Sequence, residues 1–294
     1  MKRVGFIVKP DPQRTGALLD QLVAWLKAEG HQPVVLGPIG PEFERTQPEQ
    51  PELDDNPLDM AVVLGGDGTM LHASQLVAER GVPVLGINLG RMGFLTQFAP
   101  EDAQASITAA LNGELELAER MRLSVTFVPA SGEPVTRTAL NDAVIHQGAM
   151  ARLIILQARA NDATIAEYRA DGLIVATPTG STAYNLAAGG PIITPGHSAM
   201  ALTPICAHAL TNRPLVFDQD ATITLELGEP SHGVVLTVDG QWARSVGFGD
   251  KVAITAAEKP LLLFDSGKPY FDILRDKLYW NARTQSDDAN NTDT

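Results

Sequence analysis

Three glycines enclose one carboxylate in Leu64-Gly65-Gly66-Asp67-Gly68-Thr69, between a short apolar run and an amphipathic one. Backbone without Cβ lets a ligand come close, and the free N–H groups at a helix start favour an anion, so phosphate is the natural guest. A carboxylate placed there repels phosphate unless it has a task of its own. It can accept a proton from an attacking hydroxyl or help to hold a metal ion. Asp67 is therefore the first catalytic candidate, and Gly65, Gly66, Gly68 and Thr69 are the phosphate-loop candidates. The competing reading is a tight turn whose aspartate caps the following helix.

A second segment runs from Arg169-Ala170-Asp171-Gly172 along an apolar strand into Thr177-Pro178-Thr179-Gly180-Ser181-Thr182-Ala183-Tyr184-Asn185-Leu186-Ala187. So many hydroxyls beside apolar residues need hydrogen-bond partners, and a polar ligand would provide them. The alternative is a Ser/Thr-rich turn capping a short helix that starts near Thr182. The only Gly-Lys pair, Gly267-Lys268, is followed by Pro269, which excludes a Walker A loop. The dinucleotide fingerprint Gly-x-Gly-x-x-Gly is missing after both the first strand and the strand that ends at Leu64, so an ordinary nicotinamide dehydrogenase loses most of its support.

These residues need a frame. Val4–Val8, Pro33–Leu36, Ala61–Leu64 and Pro83–Asn88 read as buried strands. Between them Leu18, Leu22 and Leu26 make a core-facing helical stripe, Met70–Glu79 makes a second helix, and Glu101–Leu111 a third. That alternation predicts an α/β N-terminal domain over 1–120, a Rossmann-like parallel sheet with Asp67 on a strand-to-helix turn. The Pro-, Glu- and Asp-rich stretch from Gly37 to Pro57 reads as a surface loop. From Arg122 to Phe264 the pattern turns to β-segments, and an all-β, sandwich-like C-terminal domain over 121–269 follows. Asp239-Gly240 between two apolar alternations signals a two-residue hairpin. A helix over 270–283 is expected to return to the first domain, with 284–294 a frayed tail.

With 294 residues, 44% of them hydrophobic, the chain can bury two ordinary cores. A net charge of -13 argues against a nonspecific nucleic-acid surface, so a phosphate must be held locally. No apolar run is long enough to span a bilayer and the start passes directly into a strand, which suggests a cytoplasmic protein with no membrane partner. The single cysteine, Cys206, permits no internal disulfide and reads as a packed thiol within Leu202–Ala207.

The set Gly65–Thr69, Gly90-Arg91-Met92-Gly93-Phe94-Leu95-Thr96, Asn141-Asp142 and Asp171 through Asn185, in this order and spacing, resembles the NAD kinases over nearly the whole chain. The resemblance implies an NAD kinase-like fold and phosphorylation of NAD at the 2′-hydroxyl of its adenosine ribose, with ATP or polyphosphate as donor. It implies Asp67 as general base. Magnesium would be held mostly by the donor phosphates, with no side chain assigned as metal ligand. It implies that Asn141 and Asp142 contact the NAD nucleoside, Asp142 standing where relatives commonly carry Glu. Asp171 and the run Thr182, Ala183, Tyr184, Asn185, Leu186 and Ala187 would line the NAD pocket. Arg152, Arg169 and Gln241 align with further polar contacts, His72 stands where relatives often carry Arg, and Phe94 is similar to a residue packing beside adenine. A homodimer or homotetramer built through the β-rich domain is implied too, with neighbouring subunits completing each pocket. Two rivals stay open: another kinase with the same loop, acting on a lipid or a sugar phosphate, and a noncatalytic dinucleotide sensor.

Overall fold

A computed structural model describes residues 1–8, 12–38, 56–90, 92–148 and 153–280. Most of the acidic surface loop, Arg91, Arg152 and the C-terminal tail lie outside the described residues. The first half runs β1 (Arg3–Val8), α1 (Pro12–Ala28), β2 (Gln32–Pro38), β3 (Met60–Leu64), α2 (Asp67–Val77), β4 (Val84–Ile87), α3 (Ala103–Leu111) and β5 (Leu117–Arg120). The β-rich half carries β6 (Leu123–Val128), β7 (Val135–Ala139), β8 (Asp142–Gln147), β9 (Ile154–Ala160), β10 (Ala163–Ala170) and β11 (Gly172–Ala176). After the short helix α4 (Tyr184–Ala187) come β12 (Ala199–Ile205), β13 (Leu215–Asp218), β14 (Ile223–Leu227), β15 (Val234–Val238), β16 (Trp242–Ser245) and β17 (Lys251–Ala256). The last described elements are β18 (Leu261–Phe264) and α5 (Tyr270–Leu278).

The first sheet has the order β2-β1-β3-β4-β18-β5. Its first five strands are parallel and only β5 is antiparallel, against β18. Every residue of β3, Met-Ala-Val-Val-Leu, is buried because helices cover both faces. Leu22 and Leu26 of α1 pack on one face with Ile107 of α3, while Met70 and Leu76 of α2 pack on the other. The return to this sheet begins with β18, ahead of the helix at Tyr270.

The β-rich half forms two six-stranded antiparallel sheets, β10-β9-β14-β17-β6-β7 and β13-β12-β11-β8-β15-β16, which enclose one core. In β6 the sequence Leu-Ser-Val-Thr-Phe-Val alternates buried and half-buried positions, placing Leu123, Val125 and Phe127 inside. Asp239 and Gly240 take φ of 52° and 63°, and the Gln241 amide donates to the Val238 carbonyl at 3.0 Å, so the chain turns at Asp-Gly; Val238 pairs with Trp242, which leaves Gln241 as a third loop residue beyond the two expected. Cys206 departs from its expectation. It follows the last residue of β12 in a left-handed conformation, φ 47°, and is exposed rather than packed.

Two contacts fasten α2 and the turn that follows it, Ala78–Arg80, to the β-rich half. The fully buried Arg122 donates from Nε to the Lys259 carbonyl at 2.9 Å and from Nη1 to Thr138 Oγ1 at 3.2 Å, and pairs through Nη2 with the Glu79 carboxylate. Gln75 Nε2 donates to the Thr138 carbonyl at 2.6 Å, and Thr138 Oγ1 donates to Gln75 Oε1 at 3.1 Å. The helix that starts at Asp67 is thus held at its far end by strand β7. Among the described residues no helix is long and apolar enough to cross a membrane.

Candidate active site

The turn between β3 and α2 lies where β3 and β4 end. The first helical bonds run from the Thr69 and Met70 amides to the Gly66 carbonyl, at 2.9 and 3.2 Å. The amides of Asp67 and Gly68 precede that ladder and are left for an anion. A methyl on Gly66 or Gly68 would meet open space, so the backbone there is approachable.

Asp67 does not cap its own helix; no side-chain cap is formed at Gly66. Its carboxylate reaches across to the segment after β4. Oδ2 accepts the Phe94 amide at 2.9 Å, while Oδ1 accepts the Leu95 amide at 3.1 Å and the Thr96 amide and hydroxyl, each at 3.3 Å. A carboxylate oxygen offers about two lone pairs, so Oδ2, with a single donor, is the atom left to receive a proton. Gly93 is required by this clamp, because a Cβ there would overlap Asp67 Oδ1 and press on Thr96 Oγ1. In the Gly-Phe-Leu-Thr motif Phe94 is the one side chain expected to meet a ligand, yet the amides of Phe94, Leu95 and Thr96 hold Asp67, and no periodicity signals them.

The Asn141-Asp142 pair sits where the β-rich half meets the first domain, with Leu140 buried in the first domain's core. Register places Asp142 opposite Ala176, so the pair and the segment from Thr177 onward share one end of the sheet. Asp142 is buried, and burial together with the neighbouring Asp239 charge pushes its carboxyl up to about 7. Asp239 is pushed up to about 6 by burial, against three backbone N–H donors and Arg122, which favour its ionised form.

The hydroxyl-rich segment is satisfied largely by the protein itself, contrary to the expectation that a ligand would supply its partners. Thr177 Oγ1 donates to the Leu140 carbonyl at 2.6 Å, and Ser181 Oγ to the Pro178 carbonyl at 2.6 Å. Such short-range bonds are what Ser and Thr offer a tight turn. Asn185 is consumed as well: Nδ2 donates to the Ser181 and Pro191 carbonyls, and Oδ1 accepts Thr203 Oγ1 at 2.6 Å. Thr182 is half-buried at a cleft, Ala183 and Leu186 are half-buried beside it, and Tyr184 and Ala187 are exposed. The ring of Tyr184 is therefore open to a ligand rather than part of the core.

That cleft runs between the two domains, encloses about 280 Å³ open to solvent, and is lined by Phe94, Leu95, Gln97, Arg120, Pro178, Thr179, Thr182, Pro195 and Tyr270. Phe94 is half-buried, its ring 6.4 Å from that of Tyr270. Arg120 and Tyr270 were not anticipated; β5 and α5 bring them in from distant parts of the chain. A wider hollow of about 460 Å³ at Met92, Ile273, Asp276 and Lys277 adjoins neither the phosphate loop nor Asn141, so chemistry rather than size selects the interdomain cleft.

Gln241 reaches the same place, its Nε2 donating to the Gly68 carbonyl at 3.2 Å. His72 is half-buried one turn along α2, and burial lowers its pKa, so it is neutral at pH 7. Arg169 and Asp171 are exposed at the opposite end of β11 from Thr177. The five residues of β11 separate Asp171 from Thr177, about 20 Å, so one chain does not bring this pair to its own cleft.

Comparison with known proteins agrees with this geometry. Residues 4–115 match the ATP-NAD kinase N-terminal domain and residues 140–266 the ATP-NAD kinase C-terminal domain. An NAD kinase of Geotalea daltonii is 40% identical over 284 residues, 96% of this chain and 100% of that protein. An NAD kinase of Syntrophobacter fumaroxidans is 47% identical over 223 residues, 76% of this chain and 79% of that protein. Among solved structures, yeast NADH kinase complexed with NADH superposes with a TM-score of 0.84 at 26% identity, covering 97% of this chain and 89% of the other. An NAD kinase from Archaeoglobus fulgidus in complex with ATP gives a TM-score of 0.74 at 26% identity, covering 94% and 98%. The chain belongs to the NAD kinase family.

Proposed function

We propose that this chain transfers the γ-phosphate of ATP, or a terminal phosphate of polyphosphate, to the 2′-hydroxyl of the adenosine ribose of NAD, giving NADP. The observation that carries the reading is Asp67 at the phosphate loop: four donors fix its carboxylate, yet Oδ2 keeps an open position. The ribose hydroxyl proton passes to Asp67 Oδ2 as its oxygen attacks the γ-phosphorus, and ADP leaves. The amides of Asp67 and Gly68 steady the negative oxygens of the transferring group.

Magnesium, held chiefly by the donor's phosphate oxygens, would offset charge on the transferred group. Asn141 and Asp142 hold the adenosine ribose, Phe94 and Tyr184 offer faces to the rings, Thr182, Ala183, Leu186 and Ala187 line the pocket, and Gln241 braces the loop at Gly68. Asn185 supports that wall from behind. Arg169 and Asp171 serve a neighbouring subunit's pocket, which makes a homodimer or homotetramer part of the same proposal. So is residence in the cytoplasm, where both substrates occur.

An assay of NADP formation with ATP and magnesium, comparing wild type with Asp67→Asn, tests the reading. Wild-type turnover that collapses in the variant supports it. Full activity in the variant removes Asp67 as base, and an inactive wild type that still binds NAD points to a sensor. A parallel screen with diacylglycerol and a sugar phosphate excludes the other kinases that share the loop.

A further inference from the structure

The hairpin turn at Asp239 and Gly240 needs only a first residue that tolerates positive φ, and asparagine would serve as well. The carboxylate found there does more than the turn requires. Asp239 is buried, 8% exposed. Its Oδ2 accepts the Leu140 amide at 2.7 Å, and its Oδ1 accepts the amides of Asn141 at 2.7 Å and Asp142 at 3.0 Å. Its own amide donates to the Asp142 carbonyl at 2.9 Å. Four hydrogen bonds from one residue thus fix three consecutive residues that are 97 to 99 positions away in sequence. On the far side the same segment is held by the Thr177 amide, which donates to the Asn141 carbonyl at 2.9 Å. Two residues beyond Asp239, Gln241 reaches the Gly68 carbonyl of the phosphate loop.

We infer that Asp239 is a positioning residue for the acceptor nucleoside: its carboxylate sets the backbone on which Asn141 and Asp142 are presented, and its hairpin sets their distance from Asp67. This rests on the reading that Asn141 and Asp142 hold the NAD ribose. Burying a carboxylate is costly unless donors surround it, and three amides aimed from one segment make the arrangement hold only in one backbone geometry. A local rearrangement of 140–142 would strand the charge. The segment is therefore rigid before substrate arrives, which lowers the ordering cost of binding. Asp239 also acts on Asp142 directly. The ionisable groups facing Asp142 and Asp239 are each other and Arg122, and the Asp239 charge holds Asp142 protonated to higher pH.

The experiment compares Asp239→Asn, Asp239→Gly and Asn141→Ala with wild type in the full-length chain, by steady-state NADP formation and thermal melting. Asn and Gly both accept positive φ, so each keeps the hairpin, and Gly leaves space for water should the misdirected carboxamide of Asn prevent folding. The expected result is a KM for NAD raised about tenfold in both Asp239 variants, with the KM for ATP within about twofold of wild type. The acid limb of kcat/KM for NAD should move to lower pH in Asp239→Asn, because Asp142 loses its repelling neighbour; a merely structural role would not move it. Equal losses for both substrates, or a lowered Tm with unchanged KM values, overturn the inference. Asn141→Ala that raises the KM for NAD while both Asp239 variants match wild type also overturns it and leaves the site reading intact. Asn141→Ala without effect on that KM overturns the site reading, and the inference falls with it.

Discussion

Two aspartates in this chain use one device. Asp67 gathers the amides of Phe94, Leu95 and Thr96, and Asp239 gathers those of Leu140, Asn141 and Asp142. Each carboxylate therefore shapes three consecutive residues of a distant segment. The difference is access. In both, one oxygen has a single donor, but Asp67 is half-buried at the phosphate loop, where that oxygen can be reached, whereas Asp239 is buried. A carboxylate surrounded by amides becomes a reactive group only where solvent and substrate can meet it; sealed, it is a brace. On the proposed reading one of each serves a single reaction, Asp67 at the phosphate loop on the donor side and Asp239 behind the acceptor nucleoside.

The contrast makes its largest demand on Asp67→Asn. Loss of the general base should lower kcat by about 10²- to 10⁴-fold with little change in either KM. Asp239→Asn, by contrast, should act on the KM for NAD. If both variants lost kcat to the same degree, the division between reactive group and brace would be wrong. Next in size is Gly93→Ala, whose added methyl overlaps Asp67 Oδ1. A carboxylate displaced by about 1 Å is expected to lose roughly 10²-fold in kcat. The overpacked turn should also cost about 1–3 kcal/mol of stability, read as a lower Tm. Wild-type kcat in Gly93→Ala would show that the clamp on residues 94–96 has no part in aiming the base.

The two aspartates also differ in how far the sequence reveals them. Asp67 lies between glycines at the end of an apolar run, so the residues that give it meaning are its immediate neighbours. Asp239 reads as half of a hairpin signal, and the hairpin forms, but its hydrogen-bond partners lie nearly a hundred residues away and leave no periodic trace. The same reason leaves several strands of the β-rich half without a clear trace in the sequence. β12 carries Pro204 near its end, β7 is mostly polar, and β13 is largely exposed at a sheet edge. Parallel strands buried on both faces announce themselves by continuous apolar runs; edge and half-polar strands are decided by what they pair with. The hydroxyl-rich turn misled in another way, since its Ser and Thr satisfy one another's backbone and leave only Thr179 and Thr182 facing the cleft.

Asp142 sharpens the contrast through pH. Its carboxyl is raised to about 7, well above the ordinary carboxylate value. A raised acid contributes stability that is present in full below the unfolded value and is lost as pH rises through the folded one. Wild type should therefore lose stability between about pH 4 and about pH 7 from this group. Asp142→Asn should melt like wild type near pH 4 and above it near pH 8. Thermal melts across that range check the sign, and parallel curves for the two proteins would show that Asp142 and Asp239 do not share a buried charge problem.

The smallest effect belongs to Gln241. Its bond to the Gly68 carbonyl is exposed, 3.2 Å long and uncharged, so water competes for both partners. A neutral hydrogen bond of this kind contributes about 0.5–1.5 kcal/mol, and Gln241→Ala should lower kcat/KM by about two- to tenfold with Tm unchanged. The variant probes the opposite end of the turn that Asp239 occupies. If the turn serves the acceptor side, removing its buried end raises the KM for NAD, and removing its exposed end leaves only a slight loosening of the phosphate loop. A Gln241→Ala protein as impaired as Asp239→Asn, and impaired in kcat, would mean that the hairpin works by holding Gly68 and Asp67. Both aspartates would then belong to the donor side, and the partition drawn between them would disappear.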